Sequence, residues 1–417
     1  MQNFKRTVLG SLVSLSVASC GGDSKTPAAD TATIDTSPTD VADDSVQPED
    51  TSANDVALAD GSDTTEPDDL SEPEEVVTPV CGPNDRPACL YRPTMTYEFQ
   101  TRKVNGLTYT DVSGAERNVN IAIYRPTGAP EPMPVVLMSH GGASGKTDPM
   151  KSMEHWGPII AGAGYLAVGI AHEGRDEASY AALCEALETN PLHVCGVKIS
   201  WDRPNDVRRV IAYLKEQATE APFVGLMNLD RIAHVGHSAG ASAAMMSVGA
   251  TRNFKCALPY DYEDANQNCQ VADLESLAID DIDVAISLSP QGPGTEGFMD
   301  ESFAPMTKPF LMATGANDGD AGEPATRAAI FPLLPAGDKF KFYIDDQAAK
   351  HTLFEGDLNA CEAIAGLAKC EAMRAAVFAT GVAFLDAHLK DSAPAKAWLA
   401  SEDVVKAGQG LFTFERR

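Results

Sequence analysis

Arg231-Ile232-Ala233-His234-Val235-Gly236-His237-Ser238-Ala239-Gly240-Ala241-Ser242-Ala243-Ala244-Met245-Met246 changes character twice. The first five residues read as a short strand, and the last six as a helix of small residues and methionine. Between them stands G-x-S-x-G, the pattern of a strand-to-helix turn that exposes a serine. The glycines have a steric reason: a turn this sharp brings strand and helix against both flanks, where only a residue without Cβ fits. Ser238 immediately precedes the helix, so the first helical N–H groups face any oxyanion it creates. With Gly at about 7% of residues, the bare pattern arises by chance about 0.1–0.2 times in a chain this long. Its strand and helix neighbours are what give it weight.

Outward from this turn, other continuous apolar runs read as buried strands: Pro134–Ser139, Tyr165–Ala171, Val284–Leu288, Phe310–Thr314 and, last, Lys339–Ile344. Upstream, Tyr97–Arg125 alternates as antiparallel strands do. Helical spacing of Val207, Val210, Ile211 and Leu214 predicts a helix over 204–218, with Pro204 in its first turn. A second, amphipathic helix is expected over 374–389. Strands alternating with helices predict an α/β fold, a mostly parallel central sheet with helices on both faces.

In such sheets reactive residues sit beyond the carboxyl ends of strands. The run ending at Ser139 continues as His140-Gly141-Gly142-Ala143, a small-residue loop that lets a backbone N–H approach a substrate oxygen. The N–H groups of Gly142 and Ala239 are assigned as an oxyanion hole, each donor worth about 3–4 kcal/mol in a transition state. The run ending at Thr314 continues as Gly315-Ala316-Asn317-Asp318-Gly319-Asp320. Asp318 is the expected acid, with Asp320 in reserve. Of the chain's eight histidines, only His351 and His388 follow this acid, and His388 falls in the C-terminal helix. The order Ser…Asp…His leaves His351 as the base. Ser238, His351 and Asp318 would then form an acyl-transfer triad that needs no cofactor.

Taken together these segments resemble the α/β-hydrolase superfamily, specifically dienelactone-hydrolase-like and platelet-activating-factor-acetylhydrolase-like esterases. The resemblance rests on Ser139–Gly142, Gly162–Arg175, Arg203-Pro204-Asn205-Asp206-Val207, Gly236–Gly240, Ser289-Pro290-Gln291-Gly292, Gly315–Asp318 and the His351 loop, and covers about residues 95–390. It implies an α/β-hydrolase fold and a serine carboxylic-ester hydrolase, and its oxyanion donors fall on Gly142 and Ala239. The elbow departs from the family in lacking an aromatic after the serine and a second glycine, so the acyl and alcohol groups do not carry over. The cysteine nucleophile of true dienelactone hydrolases is absent. A serine peptidase or amidase on the same fold, and a non-catalytic binding protein that kept the elbow, stay open as alternatives.

Met1–Ser19 reads as a secretory signal, with Lys5 and Arg6 ahead of an apolar run too short to span a bilayer. Val17-Ala18-Ser19-Cys20 resembles a bacterial lipobox, which makes Cys20 the lipidated first residue. Gly21 after it suggests an outer-membrane destination, facing the periplasm or the surface. Residues 20–80 carry no aromatic residue and hold 17 acids against Lys25, part of the chain's net charge of −28. Such a segment cannot bury enough apolar surface to offset its ordering entropy, and reads as a disordered tether. No basic stripe points to nucleic acid. Residues 81–417 are the catalytic domain, expected to be a monomer. Its cysteines fall as Cys81/Cys89, Cys184/Cys195, Cys256/Cys269 and Cys361/Cys370, an even count that reads as disulfides in an exported chain. No C-x2-C and no histidine at ligand spacing from a cysteine pair points to a metal. Segments 173–199 and 255–280 read as insertions near the site, with Tyr260, Tyr262, Trp156 and Trp201 as candidate pocket walls or core aromatics. The expected substrate is a small-molecule or polymeric ester, and the expected contact with a membrane is the lipid alone.

Overall fold

Continuous apolar runs must be covered on both faces, and the sequence of this chain lays several of them side by side. The computed structural model describes residues 86–417 except 112–115, 143–147, 173–190, 221–222, 255–269, 320–322 and 409. The strands are β1 (Phe99–Thr110), β2 (Glu116–Pro126), β3 (Met133–Ser139), β4 (Leu166–His172), β5 (Met227–His237), β6 (Thr251–Arg252), β7 (Glu275–Ser276), β8 (Val284–Leu288), β9 (Phe310–Gly315), β10 (Lys339–Ile344) and β11 (Thr413–Arg416). Nine of them form one sheet in the order β1-β2-β4-β3-β5-β8-β9-β10-β11, and β6 and β7 form a separate ribbon. From β4 to β10 every pairing is parallel, while β1, β2 and β11 run antiparallel at the edges. The result is an α/β architecture around a mostly parallel sheet.

Alternation along each strand sorts the buried side chains into two cores. Val135 and Leu137 join Val168, Ile170 and Ile232 on one face, where the helices Pro191–Gln217 and Ala239–Ser247 supply Val207, Val210, Leu214, Met245 and Met246. Val136 and Met138 join Val235 and Ile286 on the other face, under Trp156 and the helix Leu367–Leu389. Burying each of the large side chains contributes about 1.5–3 kcal/mol. All described residues belong to one unit, 75–417.

Three expectations change. The helix expected from Pro204 begins at Pro191 and carries Pro204 in its interior. There the proline forgoes the bond to the residue four earlier and crowds that residue's carbonyl, and tertiary anchoring of the flanking Asp202, Arg203 and Asp206, all buried, overrides that cost. Lys339–Ile344 is not the last strand, because β11 adds to its free edge. The helix Leu367–Leu389 is not simply amphipathic: it is long and apolar enough to cross a membrane, but most of its C-terminal half is buried as core. Of the two readings given for Trp156, pocket wall or core aromatic, the structure has the second: it is fully buried, with its indole N–H donating to the Phe354 carbonyl at 3.0 Å.

Cys361 and Cys370 form a disulfide, both buried, that joins the helix Asn359–Ala365 to the helix Leu367–Leu389. Closing so short a loop is worth about 2–3 kcal/mol through the unfolded chain. Cys89 is also disulfide-bonded. Residues 1–80 with the signal, Cys20 and the tether, together with Cys81, Cys184, Cys256, Cys269, Tyr260, Tyr262 and Asp320, lie outside the described residues, as do the side chains of Cys195 and Trp201.

Candidate active site

Four loops at the carboxyl ends of β3, β5, β9 and β10 carry the expected residues to one end of the sheet. The elbow is the most constrained. A Cβ on Gly236 would lie 2.0 Å from the Gly240 carbonyl oxygen, and one on Gly240 would lie 2.0 Å from the Ser139 carbonyl oxygen. Neither contact is tolerable, which is why both flanks of the serine are glycine. Ser238 itself has φ 53° and ψ −117°, a conformation that costs a non-glycine residue about 1–3 kcal/mol. The N–H of Ser238 donates to the Leu288 carbonyl at 2.9 Å, tying the turn to the end of β8. The side chain is 6% exposed and makes no capping bond to its own helix.

Asp318 and His351 meet. His351 Nδ1 donates to Asp318 Oδ1 at 2.6 Å, and Thr314 Oγ1 donates to Asp318 Oδ2 at 2.7 Å. The backbone keeps the two loops in register: Asn317 bridges to Lys350, and Asn317 Nδ2 donates to the Gln347 carbonyl at 2.6 Å. Asp318 is fully buried, and burial opposes its charge. The hydrogen bond from His351, the Arg327 guanidinium and the Thr314 hydroxyl outweigh that and hold its carboxyl below the usual value. For His351, 8% exposed, burial pushes the imidazole below its ordinary 6.5. The bond to Asp318 pulls the other way, and His237 and Arg327 add to the depression. Since Nδ1 keeps its proton and donates it in a hydrogen bond to the carboxylate, Nε2 is the nitrogen able to take one.

The glycine loop adjoins the serine. A Cβ placed on Gly141 would sit 3.4 Å from Ser238 Cβ and 3.0 Å from His237 Nδ1. Ala239 N is the first donor of its helix, and such groups have no intrahelical partner. His237 also reaches His351: its Nε2 donates to the His351 carbonyl at 3.0 Å, and the two rings lie 4.6 Å apart.

Several contributors have a role that the sequence does not assign. Arg327, 1% exposed, donates to the carbonyls of Asp318 (2.8 Å), Ser289 and Pro290 (2.7 Å each), and its Nε is 3.4 Å from Asp318 Oδ1. One buried cation thereby locks the acid loop to the loop after β8. Beneath the glycine loop, Ser139 Oγ pairs with His172 Nε2 at 2.9 Å and His234 Nε2 at 2.8 Å, and His172 Nδ1 pairs with Asp206 at 2.7 Å. This second Ser-His-Asp set is completely buried, so it braces rather than reacts. Burial pushes His234 down to about 3, which keeps it neutral. Arg117 donates twice to Asp206, at 2.7 and 2.8 Å, and Tyr109 once at 2.9 Å.

No family model matches the chain, and no curated protein matches it either.

Proposed function

We propose that this chain is a serine hydrolase of carboxylic esters with an α/β-hydrolase fold. The observation that carries the reading is the 2.6 Å bond from His351 Nδ1 to a buried, ionised Asp318, with Ser238 on a strained glycine-flanked turn at the same end of the sheet. The chain order Ser238, Asp318, His351 is the one such folds use. Ser238 Oγ attacks the ester carbonyl carbon while His351 Nε2 takes its proton. Asp318 holds the imidazole in the Nδ1–H form and stabilises the imidazolium. The N–H groups of Gly142 and Ala239 receive the oxyanion. The alcohol leaves with the proton from Nε2, and water, activated by the same nitrogen, releases the acid. Catalytic hydrogen bonds are often long in apo structures and tighten with substrate, and the reading requires Ser238 Oγ to reach His351 Nε2 in the complex.

Turnover of p-nitrophenyl acetate and butyrate by residues 81–417, lost in Ser238→Ala, tests the reading. Unchanged turnover in that variant refutes it, and preference for amides over esters favours the peptidase alternative. The same proposal places the domain outside the cytoplasm, held to a bacterial outer membrane by lipid on Cys20 and a 60-residue tether, as a monomer acting on a small-molecule or polymeric ester. Cys20→Ser should move the protein from the membrane fraction to the soluble one; continued membrane association contradicts the anchor.

A further inference from the structure

Building on the hydrolase reading, we propose that Arg203 is a positioning residue that sets the oxyanion hole, by holding the carbonyls of His140 and Gly141 so that the Gly142 N–H is presented to the substrate. Arg203 is 1% exposed. Its Nη1 donates to the His140 carbonyl and its Nη2 to the Gly141 carbonyl, at 3.2 Å for the latter. A planar guanidinium holds the two successive carbonyls from separate nitrogens of one rigid fork, a fixed spacing that the single nitrogen of an ammonium does not reproduce. In a trans peptide the C=O of one residue and the N–H of the next point in opposite directions across one plane. Fixing the Gly141 oxygen toward Arg203 therefore turns the Gly142 N–H away from it, and fixing the His140 oxygen does the same for the Gly141 N–H.

The loop needs this. Gly141-Gly142 is the most permissive dipeptide the backbone offers, and a rotated plane would aim a carbonyl dipole at the oxyanion instead of a donor. A second donor reinforces the orientation: His140 Nδ1 donates to the Gly141 carbonyl at 2.6 Å, while His140 Nε2 accepts from the His172 N–H at 3.3 Å. Arg203 is itself placed by the helix Pro191–Gln217, directly before the internal Pro204. The residue before a proline is biased away from helical backbone, so an anchored side chain there gives the helix a reason to persist. Three residues on, Asp206 is gripped by Arg117, Tyr109 and His172, and His172 reaches Ser139, the residue before His140. The Arg203-Pro204-Asn205-Asp206 segment thus carries one side chain that holds the loop and one that anchors the strand leading into it.

The test compares wild type, Arg203→Met and Arg203→Lys in three readouts: kcat and KM for p-nitrophenyl butyrate, inhibition by a trifluoromethyl ketone that mimics the tetrahedral adduct, and backbone hydrogen exchange over 136–142. Losing one oxyanion donor lowers kcat about 10²–10³-fold. Arg203→Met should fall in that range with KM little changed. The ketone should weaken by a similar factor, and exchange at Gly141 and Gly142 should accelerate. Arg203→Lys should be intermediate. Thermal melts identify a variant that has unfolded, and the milder lysine variant then carries the comparison. A folded Arg203→Met with kcat near wild type, or a loss carried wholly by KM, overturns the clamp. A wild type that turns over no ester instead refutes the hydrolase reading itself, and the positioning role of Arg203 with it.

Discussion

Replacing Asp318 by alanine separates the proposed triad from a merely buried ion pair. The carboxylate accepts the His351 Nδ1 proton at 2.6 Å and the Thr314 hydroxyl at 2.7 Å, with Arg327 Nε at 3.4 Å. Without it the imidazole loses the carboxylate that fixes Nδ1–H, and the imidazolium formed during attack sits beside Arg327 and His237 without that carboxylate's charge. Removal of the acid from such a triad lowers kcat about 10⁴-fold, which corresponds to about 5.4 kcal/mol of transition-state stabilisation. A second consequence has a definite sign. Asp318 is what raises the proton affinity of His351, whereas burial, His237 and Arg327 all lower it, so the variant's imidazole should titrate at still lower pH. The assay is p-nitrophenyl butyrate hydrolysis across pH, with circular dichroism to establish folding and Asp320→Ala alongside. The reasoning fails if folded Asp318→Ala keeps kcat within about tenfold of wild type, or if Asp320→Ala loses as much.

Because His351 titrates below its ordinary 6.5 and acts as a base only when neutral, the acidic limb of kcat/KM should fall below pH 6.5; a limb at neutral pH or above contradicts the assignment. Gly240→Ala drives a methyl to within 2.0 Å of the Ser139 carbonyl and should destabilise by more than about 4 kcal/mol, read as a large drop in melting temperature; a near-native melt would mean that the turn is looser than its geometry.

What the sequence disclosed follows physical necessity. Val135 to Met138 and Ala285 to Leu288 are legible as strands because a parallel strand buried on both faces must be nearly continuous in apolar residues, with Ser287 the one polar side chain here. The elbow is legible because two backbones close to 2.0 Å of where a Cβ would stand, and only glycine allows it. β11 is not legible: Thr413-Phe414-Glu415-Arg416 is an edge strand, mostly exposed, whose partner on β10 is distant in sequence. The beginning of the helix at Pro191 was hidden because Pro204 imitates a first turn. The roles of Arg327 and Arg203 are not legible, because a buried guanidinium that serves backbone carbonyls leaves no pattern of partners in the chain. The Ser139, His172 and Asp206 set joins residues more than thirty positions apart, and spacing alone cannot pair them.

The central claim is that the Ser238 hydroxyl is the nucleophile. Incubation of the soluble domain with a fluorophosphonate, followed by proteolysis and mass spectrometry, reads this directly. The account predicts a single phosphonyl adduct on the peptide containing Ser238, absent from Ser238→Ala and much slower to form in Asp318→Ala. A folded wild type that stays unlabelled, or an adduct on another residue, contradicts it.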